Sequence, residues 1–242
     1  MVLSIQRPPS GENKELPNSA NYLLNLLPKT EFENLIANSH RVFFSPKSIL
    51  HEPNEPIDRV YFPLRGIISL LNTSPEGLIA EVLTVSNEGL VGITAILGGF
   101  SFASFAVVQT DCIALEVDAV TLRKEFDRGG ELQRILLRYT RALLNQGLQN
   151  VFCSCHHTIE QRLARWLLAF SDRLNNNRLL LTQETLADLL GVRRSSLSVV
   201  ANDLRQRGLI NYSRGRIIIK DRFALKKVAC DCDYIITKEM KI

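Results

Sequence analysis

The stretch LLLTQETLADLLGVRRSSLSVVANDLRQRGLINYSRGRIIIK, residues 179–220, decides the fold of the C-terminal third of the chain. Thr182 is a residue type that caps helices, and leucines follow it at the spacing of a short amphipathic helix. Gly191 suits the turn after that helix, where a positive φ is needed. A second helix is predicted from about Arg193 to about Arg207. Two short helices joined by such a turn form a helix-turn-helix.

The second helix has the composition of a DNA-recognition helix. Its predicted inward face is Leu197, Val200 and Leu204. In DNA-binding helix-turn-helix proteins, the N-terminal residues of this helix contact base edges in the major groove. Arginines and hydroxyls suit guanine and phosphate as contacts. Here such groups form the predicted outward face, which comprises Arg193, Arg194, Ser195 and Ser198.

A basic β-hairpin is predicted after the second helix. Gly208 ends the helix, and residues 209–211 and 216–220 have the pattern of two short strands. Arg214 and Arg216 lie at or next to the turn, where they can reach the DNA backbone as a wing. The alternative is a helical hairpin that only packs. The basic helix followed by a basic hairpin favours nucleic-acid binding.

Composition and charge agree with a DNA-binding C-terminal region. The 242 residues are 45% hydrophobic and 22% charged, which suits one large or two small globular domains. Residues 160–222 hold twelve Lys and Arg against six Asp and Glu, a net +6, whereas the whole chain has a net charge of +4. The positive field that attracts a polyanion is therefore concentrated in this region.

Several classes of protein are disfavoured by what the sequence lacks. It has no signal-peptide pattern and no apolar run long enough to span a bilayer, so a cytoplasmic protein without membrane contact is expected. Five cysteines, an odd number, fit a reducing compartment better than a disulfide framework. We find no nucleophile–base set, paired carboxylates or P-loop, so the chain is not expected to be an enzyme.

The N-terminal half predicts a mobile arm, two short helices and a β domain. Residues 1–20 are polar and proline-bearing, and two short helices are predicted on either side of Pro28. Between His40 and Val120, short apolar runs alternate with Gly and Pro turns, which is typical of an all-β sandwich or barrel. Its predicted inward side chains are Phe43, Ile49, Val60, Phe62, Ile68, Leu70, Val82, Val108, Ile113 and Leu115.

A long helix is predicted from about Glu131 to about Phe152, preceded by a short one over about 119–126. Apolar residues along the long helix step by four, three and four positions, which is the spacing of two-stranded helix packing. The predicted dimer interface is Leu132, Leu136, Tyr139, Leu143 and Gln146. The alternative is that this row of side chains packs on the chain's own β domain. A further helix is predicted from Thr158 to about Leu174.

The order of these parts resembles the cyclic-AMP receptor protein/Fnr (Crp/Fnr) family of bacterial transcription regulators. The stretches that carry the resemblance are SPKSILHEPNEPIDRVYFPLRGIISLL (45–71), HTIEQRLARWLL (157–168) and LTQETLADLLGVRRSSLSVVANDLRQRGLI (181–210). It implies an α+β fold: an N-terminal β-roll, which is a jelly roll like the cyclic-nucleotide-binding domain, a long dimerisation helix and a C-terminal winged helix-turn-helix. The expected boundaries are 1–20 for a flexible arm, 21–128 for the β-roll, 129–154 for the dimerisation helix, 155–229 for the DNA-binding domain and 230–242 for a tail.

The resemblance also implies roles for particular residues. Arg194 stands where the family's recognition-helix arginine contacts a base, and Thr182 and Gln183 stand where the family touches phosphate. Arg193, Ser195, Ser196 and Ser198 would be neighbouring base or phosphate contacts. The best-known members have Glu at the position of Ser195, so an unusual half-site is expected. The implied partners are double-stranded DNA with a palindromic operator, a second copy of the chain, and RNA polymerase.

The phosphate-binding cassette of the cyclic-nucleotide-binding members is absent from the sequence. In the equivalent stretch, NEGLVGITAILGGFSFASFAVVQ (87–109), Ile93 stands in place of the expected Glu, and Phe102 and Ala103 in place of Arg and Ser. No Lys or Arg occurs in residues 90–111, and an apolar cavity does not hold an unpaired phosphate. Neither cAMP nor cGMP is therefore expected. The alternatives are an effector pocket lined by Phe100, Phe102 and Phe105, or a filled core.

Four of the five cysteines fall in two local sets, one with two histidines: Cys153, Cys155, His156 and His157, and then Cys230 and Cys232. Such residues can bind zinc, iron–sulfur or haem. C-x-C is not the usual C-x-x-C, and the family's oxygen sensors carry their cluster cysteines near the N-terminus. We therefore expect ordinary thiols and no metal or other cofactor; a redox or metal switch at Cys153 and Cys155 is the alternative.

The sequence thus predicts a homodimeric, sequence-specific DNA-binding regulator whose β-roll is a sensor or a scaffold. The rival is a protein- or small-molecule-binding module in which the helix-turn-helix is only structural. Unspecific binding without a strong salt dependence would favour that rival. The sequence leaves open the operator, the effector, and whether transcription is activated or repressed.

Overall fold

The computed structural model describes residues 17, 20–98, 102–213 and 215–240 of the chain. Its helices are α1 Tyr22–Asn25, α2 Lys29–Ala37, α3 Ala119–Asp127, α4 Glu131–His156, α5 Ile159–Leu174, α6 Gln183–Leu190, α7 Arg194–Gln206, α8 Arg222–Val228 and α9 Cys232–Met240. Its strands are β1 Ser39–Phe44, β2 Ile49–His51, β3 Arg59–Arg65, β4 Ile68–Thr73, β5 Ile79–Val85, β6 Phe105–Val108, β7 Cys112–Asp118, β8 Arg178–Leu180, β9 Ile210–Ser213 and β10 Arg216–Ile219. The predicted fold class, a β domain followed by a long helix and a winged helix-turn-helix, is confirmed.

The first of two compact units comprises the described residues up to Leu70 together with Thr84–Leu143. It contains the sheet with the strand order β1-β7-β3, and the chain's four-stranded sheet has the order β2-β6-β4-β5. Strand β7 pairs antiparallel with β1 on one side and with β3 on the other. Gly66 joins β3 to β4 at φ +103°, and a Cβ there would lie 2.7 Å from the Asp111 carbonyl oxygen. Both the positive φ and the lack of space therefore require glycine at this hairpin.

The core of this unit differs from the sequence prediction at three strands. Val60, Phe62, Ile68, Leu70, Val108 and Leu115 are buried as predicted. Phe43, Ile49 and Ile113 are only half-buried, and their chain neighbours Phe44, Leu50 and Ala114 are buried instead. Val82, which was also predicted to face inward, belongs to the second unit and is half-buried there. Because side chains alternate between the faces of a strand, an error of one residue exchanges the two faces. Phe43 and Ile113 are cross-strand partners and share the half-buried face, whereas Leu115, two residues further along β7, is buried as predicted.

Helix α4 presents to its own chain the residues that were predicted to form a dimer interface. Leu132, Leu136, Tyr139, Leu143 and Gln146 are all buried within the single chain. The hydroxyl of Tyr139 donates to the Leu90 carbonyl at 2.9 Å, and a Cβ at Gly89 would lie 2.3 Å from that hydroxyl. These side chains are therefore not available to a second copy, and the prediction of the interface residues is wrong. Their heptad-like spacing reflects packing within the chain.

Tyr139→Phe is expected to lower the free energy of unfolding by about 1 kcal/mol, because the buried Leu90 carbonyl loses its donor. The oligomeric state should not change, since Tyr139 faces the interior of the chain. Urea unfolding monitored by circular dichroism, together with sedimentation, measures both quantities. Tyr234→Phe, at a residue 71% exposed in α9, is the control and should leave both unchanged.

The second unit comprises Leu71–Leu83 and Leu144–Lys241. Helix α5 begins at a capping box in which Thr158 and Gln161 bond reciprocally, and it buries Leu163, Trp166, Leu167 and Phe170. The Trp166 indole donates to Glu81 of β5 at 3.0 Å. Strand β8 adds a third strand to the wing, which was predicted to have two, and the strand order is β8-β10-β9. The predicted C-terminal tail contains helix α9.

Candidate nucleic-acid interface

The turn between α6 and α7 has the geometry that the sequence predicted. The Thr182 hydroxyl caps α6 by accepting from the Thr185 amide at 3.1 Å. Gly191 ends that helix at φ +61° and ψ +42°. A Cβ on Gly191 would lie 3.0 Å from the Ala80 Cβ, so both conformation and space favour glycine. Helix α7 starts at Arg194 with Arg193 as its N-cap.

A small hydrogen-bond network fixes the two helices to each other and to the wing. The Ser198 hydroxyl donates to the Gln183 side-chain oxygen at 2.8 Å. The backbone amide of Gln183 donates to the Tyr212 hydroxyl of β9 at 3.2 Å. Ser198 is consequently half-buried, where the sequence predicted an outward-facing side chain. Its hydroxyl and the Gln183 amide oxygen hold α7 in register with α6.

The exposed start of α7 carries uncommitted positive charge. Arg193, Arg194 and Ser195 are exposed, and Ser196 is half-buried. Within the described residues, neither arginine forms an ion pair, whereas Arg207 at the far end of α7 is bound by Glu160 and Asp203. Cations beside the positive end of a helix dipole are unfavourable unless an anion is added. This arrangement suits the binding of a phosphate backbone.

Val199, which was not among the predicted DNA contacts, is 72% exposed on the same face of α7. An apolar side chain in the major groove can contact the methyl group of thymine. Val199 follows the exposed Ser195 by four positions, one turn of the helix, and this spacing was the available signal.

The wing is present, with one predicted residue outside the described part of the chain. Strands β9 and β10 pair antiparallel, and Arg216 is exposed next to the turn. Gly215 has φ +74°, as a tight hairpin requires. Arg214 lies outside the described residues. Of the two arginines predicted for the wing, the structure therefore describes Arg216, which is exposed.

Helix α4 has a second apolar row, and this one is exposed. It consists of Leu137, Leu144, Leu148 and Val151, spaced by seven, four and three residues. Leu148 is 69% exposed, and the adjacent Phe152 is half-exposed. Large apolar side chains repeated along one exposed face of a long helix are typical of an interaction surface.

The β domain encloses a cavity of about 20 Å³, room for about one water molecule. Apolar side chains dominate its lining, and no Lys or Arg is among the described residues that form it; His51, Gly92, Thr94 and Ser104 contribute its other surface. Burial lowers the pKa of His51, whose Nε2 bonds the Arg59 carbonyl oxygen at 2.8 Å. Phe102 lines the cavity, Phe105 does not, and Phe100 lies outside the described residues.

Members of the two cysteine sets predicted from the sequence form a single group in the structure. Cys153, His157, Cys230 and Cys232 come together, while Cys155 and His156 are exposed and outside the group. A hydrogen bond from the Cys153 thiol lowers the pKa of Cys230 to about 5, and the same contact raises that of Cys153. Cys155 is therefore not part of the group of metal-binding side chains that the described structure brings together.

Comparison with known proteins agrees with this arrangement. The family model described as cyclic nucleotide-binding domain matches residues 41–128, and the Crp-like helix-turn-helix domain matches residues 161–228. The chain is 22% identical over 194 residues to the global nitrogen regulator of Nostoc sp., covering 76% of this chain and 86% of that one. It is 25% identical over 182 residues to the CRP-like cAMP-activated global transcriptional regulator of Mycobacterium tuberculosis, covering 72% and 81%.

A solved transcriptional regulator of the CRP/FNR family from Thermus thermophilus has the same fold, with a TM-score of 0.65 at 22% identity over 78% of this chain and 97% of that one. The fold and the paired domain matches define a transcription regulator with a helix-turn-helix DNA-binding domain. The chain belongs to the Crp/Fnr family. None of the described helices is long and apolar enough to cross a membrane.

Proposed function

We propose that the protein regulates transcription as a homodimer that places α7 of each subunit in the major groove of a palindromic operator. The observation that carries this proposal is the pair of exposed arginines, Arg193 and Arg194, at the start of α7, neither of which forms an ion pair within the described residues. Arg194 and Ser195 would contact base edges, and Val199 a thymine methyl. Arg193, Ser196, Arg216 and the Thr182 end of α6 would contact phosphate. Ser198 and Gln183 would position α7 through their mutual hydrogen bond.

The second subunit would pack on the exposed row Leu137, Leu144, Leu148 and Val151 of α4. This row supports the homodimer because its spacing matches coiled-coil packing and its side chains have no cover within the described part of the chain. A two-fold interface makes each residue contact its own copy or a near neighbour. Two copies of α7 can then read half-sites about one helical turn of DNA apart. RNA polymerase is a proposed further partner, consistent with membership of this family.

Selection from a randomised duplex library at two salt concentrations tests the proposal. We expect a palindrome to be enriched and the affinity to fall steeply with salt, because binding to phosphates releases counterions. Enrichment of no sequence, with or without added cell extract, would support the rival protein- or small-molecule-binding module. The extract is needed because an effector of the β domain would be missing from a purified sample.

We propose that the β domain does not bind cyclic nucleotides, unlike the cAMP-activated relative from M. tuberculosis. A cavity of about 20 Å³ without a cation among its described lining residues offers neither room nor charge for a nucleotide phosphate. Calorimetric titration with cAMP and with cGMP is expected to give no saturable heat at millimolar ligand. A stoichiometric binding isotherm with either nucleotide would contradict this proposal.

A further inference from the structure

Four metal-binding side chains from two distant parts of the chain meet in the second unit. Cys153 lies in the last turn of α4, and His157 follows it by four residues, one helical turn. Cys230 contacts Cys153 from 77 residues further along the chain, and Cys232 contacts His157 from 75 residues further along. The four ligand atoms all lie within 4.8 Å of one another, and three of the four residues are buried.

Two of the distances between these ligand atoms match those of a tetrahedral zinc site. The Cys153 and Cys230 sulfurs are 3.6 Å apart, and the Cys232 sulfur is 3.5 Å from Nδ1 of His157. Zinc–sulfur bonds of about 2.3 Å and zinc–nitrogen bonds of about 2.0 Å place tetrahedral ligands about 3.5 to 3.8 Å apart. We propose that Cys153, His157, Cys230 and Cys232 bind one structural zinc ion.

Other uses of these cysteines fit the geometry less well. A cubane iron–sulfur cluster puts each cysteine on a different iron, which requires sulfurs farther apart than this whole set allows. A disulfide between Cys153 and Cys230 would use two of the four groups and would leave Cys232 and His157 together without a role. Three sulfurs and one imidazole around a common centre are a standard structural zinc set.

The groups around the four ligands complement a zinc complex. Three thiolates and one zinc ion carry a net charge of −1. The Arg165 guanidinium is close enough to act on both Cys153 and Cys230, so it offsets that charge. The Gln149 amide donates to the Cys232 sulfur at 3.1 Å, and the Cys232 backbone amide donates to Cys230. Such outer contacts orient the ligands of metal sites.

The zinc ion would join the end of α4 to the segment that begins α9. It would close a loop of 77 residues that contains the whole helix-turn-helix and its wing. Cross-links across long loops restrict the unfolded chain and so favour the folded state. In addition, Arg162 of α5 donates to the Leu190 carbonyl at the end of α6 and lies close enough to interact with Cys153 and Cys230. Helix α5 is therefore next to both the four ligands and the helix-turn-helix.

Metal analysis of the full-length protein tests this proposal, with purification free of chelators and of polyhistidine tags. We expect one zinc ion per chain, and X-ray absorption at the zinc edge should show three sulfurs at about 2.3 Å and one nitrogen at about 2.0–2.1 Å. Stoichiometric iron, a Cys153–Cys230 disulfide found by mass spectrometry in protein purified anaerobically, or protein without metal that takes up no added zinc would overturn it.

Matched variants identify the ligands. Cys230→Ser and His157→Ala are expected to lose most of the zinc, whereas Cys155→Ser and His156→Ala, at the exposed neighbours, should retain it fully. Equal loss in the control variants would overturn the assignment. If the ligand variants do not fold, alkylation of the wild-type protein decides: we expect a chelator to increase the modification of Cys153, Cys230 and Cys232 at least tenfold, and that of exposed Cys155 not at all. Unchanged modification of the three would also overturn the site.

Discussion

Arg194→Ala is expected to reduce discrimination at one base position of each half-site by about 1–3 kcal/mol, roughly 5- to 150-fold. Arg194 is the first residue of α7, is exposed, and has no ion-pair partner in the described structure. A guanidinium in this position is free to form two parallel hydrogen bonds with O6 and N7 of a guanine. Competition binding with operators substituted at each position measures the loss and shows which base it concerns.

Two further arginine variants separate base reading from general attraction. Arg194→Lys keeps the charge but lacks the planar fork, so discrimination should fall although the salt dependence changes little. Arg205→Ala removes the same charge from the other end of α7, where the side chain bonds Asn202, and should leave discrimination intact. If Arg194→Ala binds its operator as tightly and as selectively as the wild type, α7 is not oriented in the groove as proposed.

The helix-turn-helix could be predicted from the sequence because its signals are local. Thr182 caps a helix through the third amide that follows it, and Gly191 adopts a backbone conformation that few other residues tolerate. Both effects act within a few residues and do not depend on the remainder of the fold. The bounds of α7, predicted as about 193–207 and observed as Arg194–Gln206, agree for the same reason.

The orientation of α4 could not be predicted because the helix carries two apolar rows with similar spacing. One row includes Leu136 and Tyr139, and the other includes Leu144 and Leu148. Only tertiary contacts decide between them: the Tyr139 hydroxyl reaches the Leu90 carbonyl, and Gly89 makes space for the ring. Neither partner is near in sequence, so periodicity alone selected the row that packs within the chain.

The set of four zinc-binding groups was hidden for a related reason. Cys153 is close in sequence to Cys155 and His156, which are exposed and outside the group, and it is distant in sequence from Cys230. The ligands from α4 are one helical turn apart, whereas neighbouring residues on a helix face in different directions. The position of Cys230 and Cys232 depends on how α8 and α9 pack, which no local pattern in the sequence specifies.

Leu148→Glu is expected to convert the proposed dimer into monomers and to abolish tight binding to the full palindromic operator. Leu148 is 69% exposed in the middle of the outer row of α4. Burying a leucine contributes about 1.5–3 kcal/mol, and a two-fold interface loses two of them, so the dimer should weaken by at least about 3–6 kcal/mol, or roughly 10²- to 10⁴-fold. The two carboxylates, both buried against apolar groups, add to this loss. Sedimentation at micromolar concentration measures the change directly.

Leu78→Glu is the matched control, because Leu78 is equally exposed but lies between β4 and β5 and not on α4. It should leave both the dimer and operator binding unchanged, and both variants should unfold at similar urea concentrations, since neither side chain is buried in the chain. The monomeric Leu148→Glu protein should still bind a single half-site weakly, because its α7 is intact. A Leu148→Glu protein that remains dimeric would show that the second copy does not pack on this row, and the proposed pairing of half-sites would lose its basis.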